Sequence, residues 1–319
     1  MRRALIIIIF ALSSILYFSC HDEFSLEAQF KPRNILSCII RPDTSLQVVS
    51  LSTSYQGEGQ NPYIHTEPPA IIGADVKMWF DNDVYQFRDT SLARNDTSRY
   101  NLPVNVYYNN ELKPTEGGIV EVEALLPNGL LLTSLTQIPD VSGVSFALSD
   151  TLVPPAYGRF LELNWTNIGE LIYDPKLVIV YFNRIDHQKY ETEIPLNYFE
   201  NGEEFTPNYP IASVKNSLVF EMNAIDRTMA EISEGDPDKT NYAITEIKLK
   251  VMVFDENLSA YYSSVQQFLD GFTIKVDQPD FSNVEGGFGI FGSYNVTEYN
   301  LKIDENYVDS FGYIVGFGD

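Results

Sequence analysis

Apolar and polar residues alternate with a period of two along most of the chain, which is the pattern of strands that bury one face. The alternation is clearest at 119–124, where Val120, Val122 and Ala124 would face a core while two glutamates face water. Similar runs recur in both halves of the sequence, so the pattern predicts an all-β protein. The other predicted strands are 34–41, 46–55, 71–80, 84–88, 102–108, 130–136, 159–165, 177–182, 189–196, 217–223 and 247–253.

Two local signals add detail to this pattern. Asn128-Gly129 lies between two apolar runs and predicts a hairpin, because both residues tolerate a positive φ. The run 177–182 is continuously apolar, which predicts a strand buried on both faces. The polar stretch 89–99 predicts a loop, and the aromatic and glycine-rich tail 306–319 predicts a closing edge strand.

One segment has helical rather than strand spacing. Apolar residues recur there every three or four positions from Leu258 to Leu269. We therefore expect one short amphipathic helix near 259–269, with Asn257 or Ser259 as its N-cap.

The number and spacing of the predicted strands indicate how the chain is divided. A chain of 319 residues suggests two domains of ordinary size. We expect an N-terminal β-sandwich domain at 30–139 and a C-terminal β-rich domain, which includes the helix, at 140–319. Several short strands separated by turns are typical of immunoglobulin-like or transthyretin-like sandwiches, and the sequence does not choose between these two for the first domain.

The first residues have the composition of a leader. Arg2 and Arg3 precede an apolar run from Ala4 to Phe18, shorter than the roughly 20 residues of a spanning helix, as in a secretory signal peptide. The segment 16–20, Leu-Tyr-Phe-Ser-Cys, resembles the lipobox of bacterial lipoproteins, in which the cysteine is acylated and becomes the mature N-terminus. A plain cleaved signal with an incidental cysteine is the alternative.

The lipobox resemblance predicts a location. It implies a signal peptide at 1–19, lipidation of Cys20 with an acyl chain such as palmitate, and an acidic tether at 20–29. His21-Asp22-Glu23 resembles the surface-export signal of Bacteroidota lipoproteins; a solvated acidic N-terminus is the alternative. We expect a lipid-anchored protein of the outer membrane that faces the cell surface, with a periplasm-facing protein as the alternative, and with outer-membrane lipid as its first partner.

The charge excludes one class of partner. The chain has 44 acidic and 21 basic residues, for a net charge of −23. Because phosphate contacts need Lys and Arg, we expect no nucleic-acid binding. An anionic lipid surface would also repel this chain, and the excess charge is consistent with solubility outside the cell.

The usual catalytic and metal-binding residue types are scarce. With Cys20 lipidated, Cys38 is unpaired, and its apolar strand predicts a buried core residue with no disulfide framework. The three histidines, His21, His65 and His187, are too few for a zinc site built from Cys and His, and no Gly-x-Ser-x-Gly motif occurs. We predict no catalytic, cofactor-binding or metal residues.

Some weaker candidates remain open. The oxygen-rich loops 81–83 and 234–238 are either calcium ligands or solvated turns, and 150–152 resembles a Bacteroidota O-glycosylation site. The abundant carboxylates leave room for a glycosidase pair. Four aromatic residues form either a sugar-stacking platform or an alternation between core and surface: Trp79, Tyr85, Tyr107 and Tyr108.

A segment near the C-terminus carries a family resemblance. Residues 277–292 read DQPDFSNVEGGFGIFG, a proline-containing segment followed by Ser-Asn and a run of glycines alternating with apolar residues. This resembles the closing signature of a Bacteroidota lipoprotein family catalogued as domain of unknown function 4249. Segments 30–33, 72–76 and 136–139 resemble other parts of that family in the same order. The glycine run itself predicts a strand that approaches a neighbouring backbone closely, or a bulge.

The resemblance implies an outer-membrane lipoprotein that is often encoded near TonB-dependent transporters. No activity or catalytic residue is established for the family, so none is transferred. We expect a non-enzymatic binding or accessory protein whose partner is a TonB-dependent transporter or another surface protein, and whose ligand is a polymer or peptide. The alternatives are an extracellular glycan-acting enzyme with paired carboxylates, and a structural or adhesive surface protein.

Overall fold

The computed structural model describes residues 31–54, 69–93, 103–147, 152–156, 158–201, 204–266 and 281–316. Residues Arg33–Asp319 form one compact unit, and the architecture below is that of its described part. The predicted signal peptide (1–19) and acidic tether (20–29) lie outside the described residues.

Strands dominate this part of the chain, as the alternating pattern predicts, and three α-helices accompany them instead of the single helix expected. The helices are Met222–Glu231 (α1), Glu256–Gln266 (α2) and Glu305–Ser310 (α3). The strands, in chain order, are β1 (Asn34–Ile40), β2 (Gln47–Thr53), β3 (Asp75–Phe80), β4 (Asp83–Gln86), β5 (Arg88–Leu92), β6 (Val104–Asn109), β7 (Ile119–Leu125), β8 (Leu131–Gln137), β9 (Leu152–Val153), β10 (Phe160–Asn164), β11 (Tyr173–Asn183), β12 (Gln188–Ile194), β13 (Asn197–Asn201), β14 (Glu204–Asn208), β15 (Ser217–Glu221), β16 (Tyr242–Phe254), β17 (Phe288–Ile303) and β18 (Ile314–Val315).

A ten-stranded sheet runs through both halves of the described chain. Its main path is β12-β11-β16-β17-β1-β2-β6-β5, while β9 pairs with β17 and β18 pairs with β16. A four-stranded sheet has the order β4-β3-β7-β8, and two smaller sheets are β10-β15 and β13-β14. The fold is therefore all-β and sandwich-like, as predicted.

The first hydrophobic core lies between the four-stranded sheet and the part of the large sheet that contains β1 and β2. Val120, Val122 and Ala124 are buried and the glutamates between them are exposed, which confirms the predicted alternation of β7. Residues fully buried in this core include Leu36, Ile40, Val49, Val76, Met78, Leu112, Leu132, Ile138 and Phe291.

The second core packs β11 and β16 against β10, β15 and α1. Every residue from Leu177 to Val180 is buried, as the continuous apolar run predicts for a strand covered on both faces. Residues fully buried in this core include Leu161, Tyr173, Ile179, Phe220, Ile225, Met229, Ile244, Ile247, Val251 and Val308.

Strand β17 connects the two cores. Its first residues pair in parallel with β1, from Ile35↔Phe288 to Ile40↔Ser293, and its later residues pair antiparallel with β16. Phe291 packs in the first core and Leu301 in the second. One strand close to the C-terminus therefore completes the core of the N-terminal half. The domain boundary expected at 139/140 stays a prediction.

Two hairpin turns use different geometries. At the predicted β7–β8 hairpin the Gly129 N–H donates to the Leu126 carbonyl at 2.9 Å, and only Gly129 has a positive φ, 83°. This is a type I turn followed by a glycine, not a turn with positive φ at both residues. The two-residue turn with positive φ throughout is Asp81-Asn82, at 52° and 67°, which joins β3 to β4.

The structure differs from the sequence-based prediction at three other places. Part of the expected loop 89–99 forms β5, an edge strand whose polar side chains conceal the period. The strand predicted at 217–223 ends at Glu221, where α1 begins. Most of the tail forms α3, and the predicted closing edge strand is reduced to the two-residue β18, which pairs in parallel with β16.

Candidate functional site

A cleft of about 690 Å³ opens where the end of β8, the loop before β11 and the first turns of α2 meet. Leu258 packs α2 onto the sheet with Phe254 and Ile290, so the helix that lines the cleft is fixed from behind. The lining residues are Gly117, Leu135, Gln137, Ile138, Pro139, Asp140, Ile168, Gly169, Glu170, Leu171, Asp255, Glu256, Asn257, Ser259, Ala260 and Ser263.

Asp255 forms the floor of this cleft at the junction of β16 and α2. One carboxylate oxygen accepts the Leu258 N–H at 2.8 Å, and the other accepts the Thr136 hydroxyl at 2.5 Å. Asp255 is therefore the N-cap of α2, and the prediction that Asn257 or Ser259 caps the helix is wrong. Burial raises the pKa of the Asp255 carboxyl, and its hydrogen bonds oppose that rise.

Further buried polar groups continue from Asp255 under the cleft. The Ser293 hydroxyl donates to the Gln137 carbonyl at 3.0 Å, and the Asn295 amide donates to the Pro139 carbonyl at 3.0 Å. The Ser259 hydroxyl accepts the Ile172 N–H at 3.0 Å. These bonds join β8, β17, α2 and the start of β11, so the floor of the cleft is a satisfied and rigid polar network.

The glycine run of the C-terminal signature lies directly behind this network. A Cβ at Gly289, where φ is 121°, would overlap the Leu36 carbonyl oxygen, and a Cβ at Gly292 would lie 3.0 Å from the Leu258 Cβ. The Asn283 side chain holds the Phe291 backbone through bonds of 2.7 and 3.0 Å. The prediction of a strand that approaches other backbones closely is confirmed.

The rim of the cleft is acidic. Asp140, Glu170 and Glu256 are exposed there, and none of the described residues that line the cleft is Lys, Arg or His. Asp140 accepts the Ser142 N–H at 2.9 Å and caps a short 3-10 turn, and bonds to Ser142 lower the pKa of its carboxyl. Of the four carboxylates that line the cleft, Asp140 and Asp255 therefore have structural roles as caps.

The other predicted chemical residues do not assemble at this cleft. Cys20 and His65 lie outside the described residues, and Cys38 is buried in β1, where desolvation raises the pKa of its thiol. His187 lies in the exposed turn between β11 and β12 with a φ of 58°. Within the described ranges, no group of three or more His, Cys, Asp or Glu side chains could hold a metal ion.

The side-chain oxygens of the two oxygen-rich loops are hydrogen-bonded locally or exposed to solvent. The 81–83 loop is the exposed turn between β3 and β4. In the 234–238 loop, Asp236 accepts the Asp238 N–H at 2.9 Å and the Asn241 side-chain N–H at 3.1 Å. Asp238 in turn accepts the N–H and hydroxyl of Thr240. Of the segment 150–152, only Leu152 is described, in β9.

The four candidate aromatic residues do not form a platform. Trp79 and Tyr85 lie on opposite faces of the four-stranded sheet, because Tyr85 pairs with the core residue Met78. Tyr107 is buried, and its hydroxyl bonds to the Ala74 N–H and the Ile71 carbonyl at 2.9 Å each. Tyr108 is half-buried and lines a small cavity beside Tyr85, so the four residues are divided between different faces.

The sequence of the chain matches one known family. A profile described as domain of unknown function 4249 covers residues 22–300. The chain belongs to this family. The matched region starts directly after His21 and ends inside β17, so it includes every strand of the first core and the glycine run that completes it. A comparison with curated proteins finds no match. No helix among the described residues has the length and apolar character needed to span a membrane.

The sequence did not identify the cleft floor as a site, although Ser259 was a cap candidate and other residues lie in or near segments that carry the family resemblance. Thr136 is the first residue of the Thr-Gln-Ile-Pro segment, and Asn283 lies inside the C-terminal signature. Asp255 stands between a predicted strand and a predicted helix, a position that favours an N-cap. An Asp at a strand–helix boundary was therefore the sequence signal that could have identified Asp255 as the cap.

Proposed function

We propose that this member of the family is a lipid-anchored protein of the outer membrane, exposed at the cell surface, which binds a peptide or polymer without chemical conversion. In this proposal a TonB-dependent transporter is its partner, as the family resemblance implies. The observation that carries the proposal is the placement of the cleft relative to the chain entry. The two lie at opposite ends of β1.

The register of the large sheet defines these two ends. Asn34, the first residue of β1, lies beside Gly287, and the last residue, Ile40, pairs with Ser293. Ser293 bonds to Gln137, which lines the cleft. A seven-residue strand spans about 20 Å. The chain therefore enters the fold at the end of β1 opposite the cleft, so a tether through Cys20 would leave the cleft unobstructed.

The surroundings of Asp255 support binding over catalysis. A glycan-acting enzyme needs two carboxyl groups free to reach the substrate, one of them an acid with a raised pKa. Asp255 has the raised pKa, but both of its oxygens are occupied and its side chain is 5% exposed. Asp255 thus does not support the hypothesis of a glycan-acting enzyme with paired carboxylates.

The charge of the cleft indicates which ligands suit it. Its rim carries carboxylates and no cationic side chain among the described lining residues. Amines, guanidinium groups and hydroxyls would find acceptors there, whereas a polyanion would be repelled. We therefore propose a peptide with basic side chains or a neutral glycan as the ligand class.

Site-specific photo-crosslinking in living cells tests this proposal. A photoreactive residue at Ser263, which lines the cleft, should capture a discrete partner, and the same residue at the exposed Ser217 of β15 serves as the matched control. We expect a discrete adduct at position 263 and none at 217. Identical adducts at both positions, or none at 263 while the protein is correctly localised, would contradict a binding role for the cleft.

A further inference from the structure

The tip of the β7–β8 hairpin exposes leucines. Leu125 and Leu131 form the last cross-strand pair before the turn and are each 45% exposed, and Leu130 in the turn is 38% exposed. Pro127, Asn128 and Gly129 complete the tip, which carries no charged side chain between positions 124 and 132. The tip is thus an apolar projection on a chain of net charge −23.

This tip lies at the end of the molecule where the chain enters. A Cβ at Gly286 would overlap the Leu131 carbonyl oxygen, and a Cβ at Gly287 would lie 2.7 Å from the Asn34 carbonyl oxygen and 2.8 Å from the Leu132 side chain. The hairpin tip, the start of β17 and the start of β1 are therefore immediate neighbours.

A partly exposed aromatic ring and a cationic side chain lie at the same end of the molecule as the hairpin tip. Phe288, the first residue of β17, is 38% exposed, and the Arg33 guanidinium lies 4.2 Å from the centre of its ring. An arginine stacked on an aromatic ring beside exposed leucines is a combination suited to a lipid headgroup region.

The length of the preceding chain limits how far this end can lie from the predicted anchor. Cys20 precedes Arg33 by thirteen residues, whose fully extended span is at most about 45 Å. One acyl chain by itself gives only marginal attachment, so a second contact with the bilayer would strengthen it.

We propose that the hairpin tip, with Leu125, Leu130 and Leu131, rests in the interface of the leaflet that holds the acylated Cys20. This inference rests on the proposed lipid anchor and adds an orientation: the tip contacts lipid and the cleft points away. The surface involved is zwitterionic, because the exposed acids Asp75, Glu123 and Glu285 lie just behind the tip and an anionic leaflet would repel them.

A matched pair of labelled variants tests the contact. The full acylated chain is reconstituted into phosphatidylethanolamine–phosphatidylcholine vesicles with Leu130→Cys or Ile119→Cys carrying an environment-sensitive fluorophore. Ile119 is 53% exposed at the other end of the same strand, and Cys38 is buried, so each protein has one reactive thiol. We expect a blue shift and several-fold stronger quenching by brominated lipid at position 130 than at 119.

The outcomes separate this inference from the proposed function. Flotation with the vesicles is measured first, and a wild-type chain that does not float contradicts the anchor and this inference with it. A chain that floats with equal quenching at positions 130 and 119 contradicts the lipid contact alone. Protection of position 130 in native membranes without quenching by lipid would assign the tip to a protein partner. That result would also overturn the proposed lipid contact.

Discussion

Strand β16 carries charged groups in two opposite settings. At its end, Asp255 is buried with a hydroxyl and an N–H as partners and no cation. Along its middle, Lys248 and Lys250 project from the outer face and form ion pairs of 2.5–3.7 Å with three glutamates. Those glutamates are Glu191, Glu246 and Glu298, on β12, β16 and β17.

The two settings indicate how Asp255 and the ion pairs contribute to the stability of the fold. A buried carboxylate is stable only with its hydrogen-bond donors in place, so Asp255 fixes β8 and α2 relative to each other. Ion pairs that keep access to solvent contribute little individually. The cross-strand pairing of Lys248 with Val178 places the aliphatic stem of this lysine beside that valine. The cleft floor should thus be sensitive to single substitutions and the outer face tolerant.

The largest effect is expected for Asp255→Ala. It leaves the Leu258 N–H without its acceptor, leaves the Thr136 hydroxyl only the Ser293 hydroxyl at 3.1 Å, and removes the cap of α2. We expect the free energy of unfolding to fall by about 3 kcal/mol in chemical denaturation. Asp255→Asn retains an acceptor for the Leu258 N–H and should lose less than half as much. Equal losses for the two variants would contradict the capping role.

Thr136→Val should have an intermediate effect. The replacement keeps the shape of the side chain but removes the hydroxyl that donates to Asp255, so we expect a loss of about 1.5 kcal/mol. The Asp255 pKa should also rise further, because a hydrogen bond that lowers it disappears. Denaturation curves and carboxyl titration by NMR measure the two effects. An unchanged stability would mean that the Thr136–Asp255 bond contributes nothing.

The two settings should also respond to pH with opposite signs. The raised pKa of Asp255 means that the folded state binds the proton more tightly, so stability falls as pH rises from about 4 through the folded-state pKa. Hydrogen bonds from Lys248 lower the pKa of Glu246, so its contribution is present above about 4.3 and is lost as pH falls through its folded-state pKa.

Stability curves from pH 3 to 8 measure these slopes. The unfolding free energy of the wild type is compared with that of Asp255→Asn and, separately, with that of Glu246→Gln. Relative to the first variant the wild type should lose stability as pH rises, and relative to the second it should gain. Slopes of the same sign in both comparisons would refute the distinction between the two regions.

The smallest effect is expected for Glu298→Gln on the outer face. Its carboxylate contacts Lys248 and Lys250 at 3.2 and 3.7 Å but is well exposed. We expect a loss below about 0.5 kcal/mol at low ionic strength, and none in 0.5 M salt. Denaturation at the two salt concentrations measures this difference. A loss comparable to that of Thr136→Val would show that the outer face is not tolerant.

The sequence predicts the regular parts of this molecule well because they depend on local periodicity. The buried alternation of β7, the doubly buried run of β11 and the helical spacing of α2 are all properties of a few neighbouring residues. The polar edge strand β5 escaped prediction because its exposed side chains leave no apolar period.

The cleft depends on contacts between distant residues. Asp255 meets Thr136 across 119 positions, and Ser293 meets Gln137 across 156. No local pattern encodes such pairs, so the floor of the cleft could not be predicted although each residue was visible. Likewise, Gly289 could be predicted to allow a close approach, but Leu36 as the neighbour required the parallel register of β1 and β17.

The proposed function depends on lipidation of Cys20, and Cys20→Ala removes the residue that would carry the lipid. The wild type and the variant are expressed in the native cell, and the outer membrane is separated from soluble fractions. We expect the wild type to fractionate with the outer membrane and to show a lipid-modified N-terminal peptide by mass spectrometry, and we expect the variant to do neither. A Cys20→Ala protein that remains with the outer membrane would overturn the proposed lipid anchor.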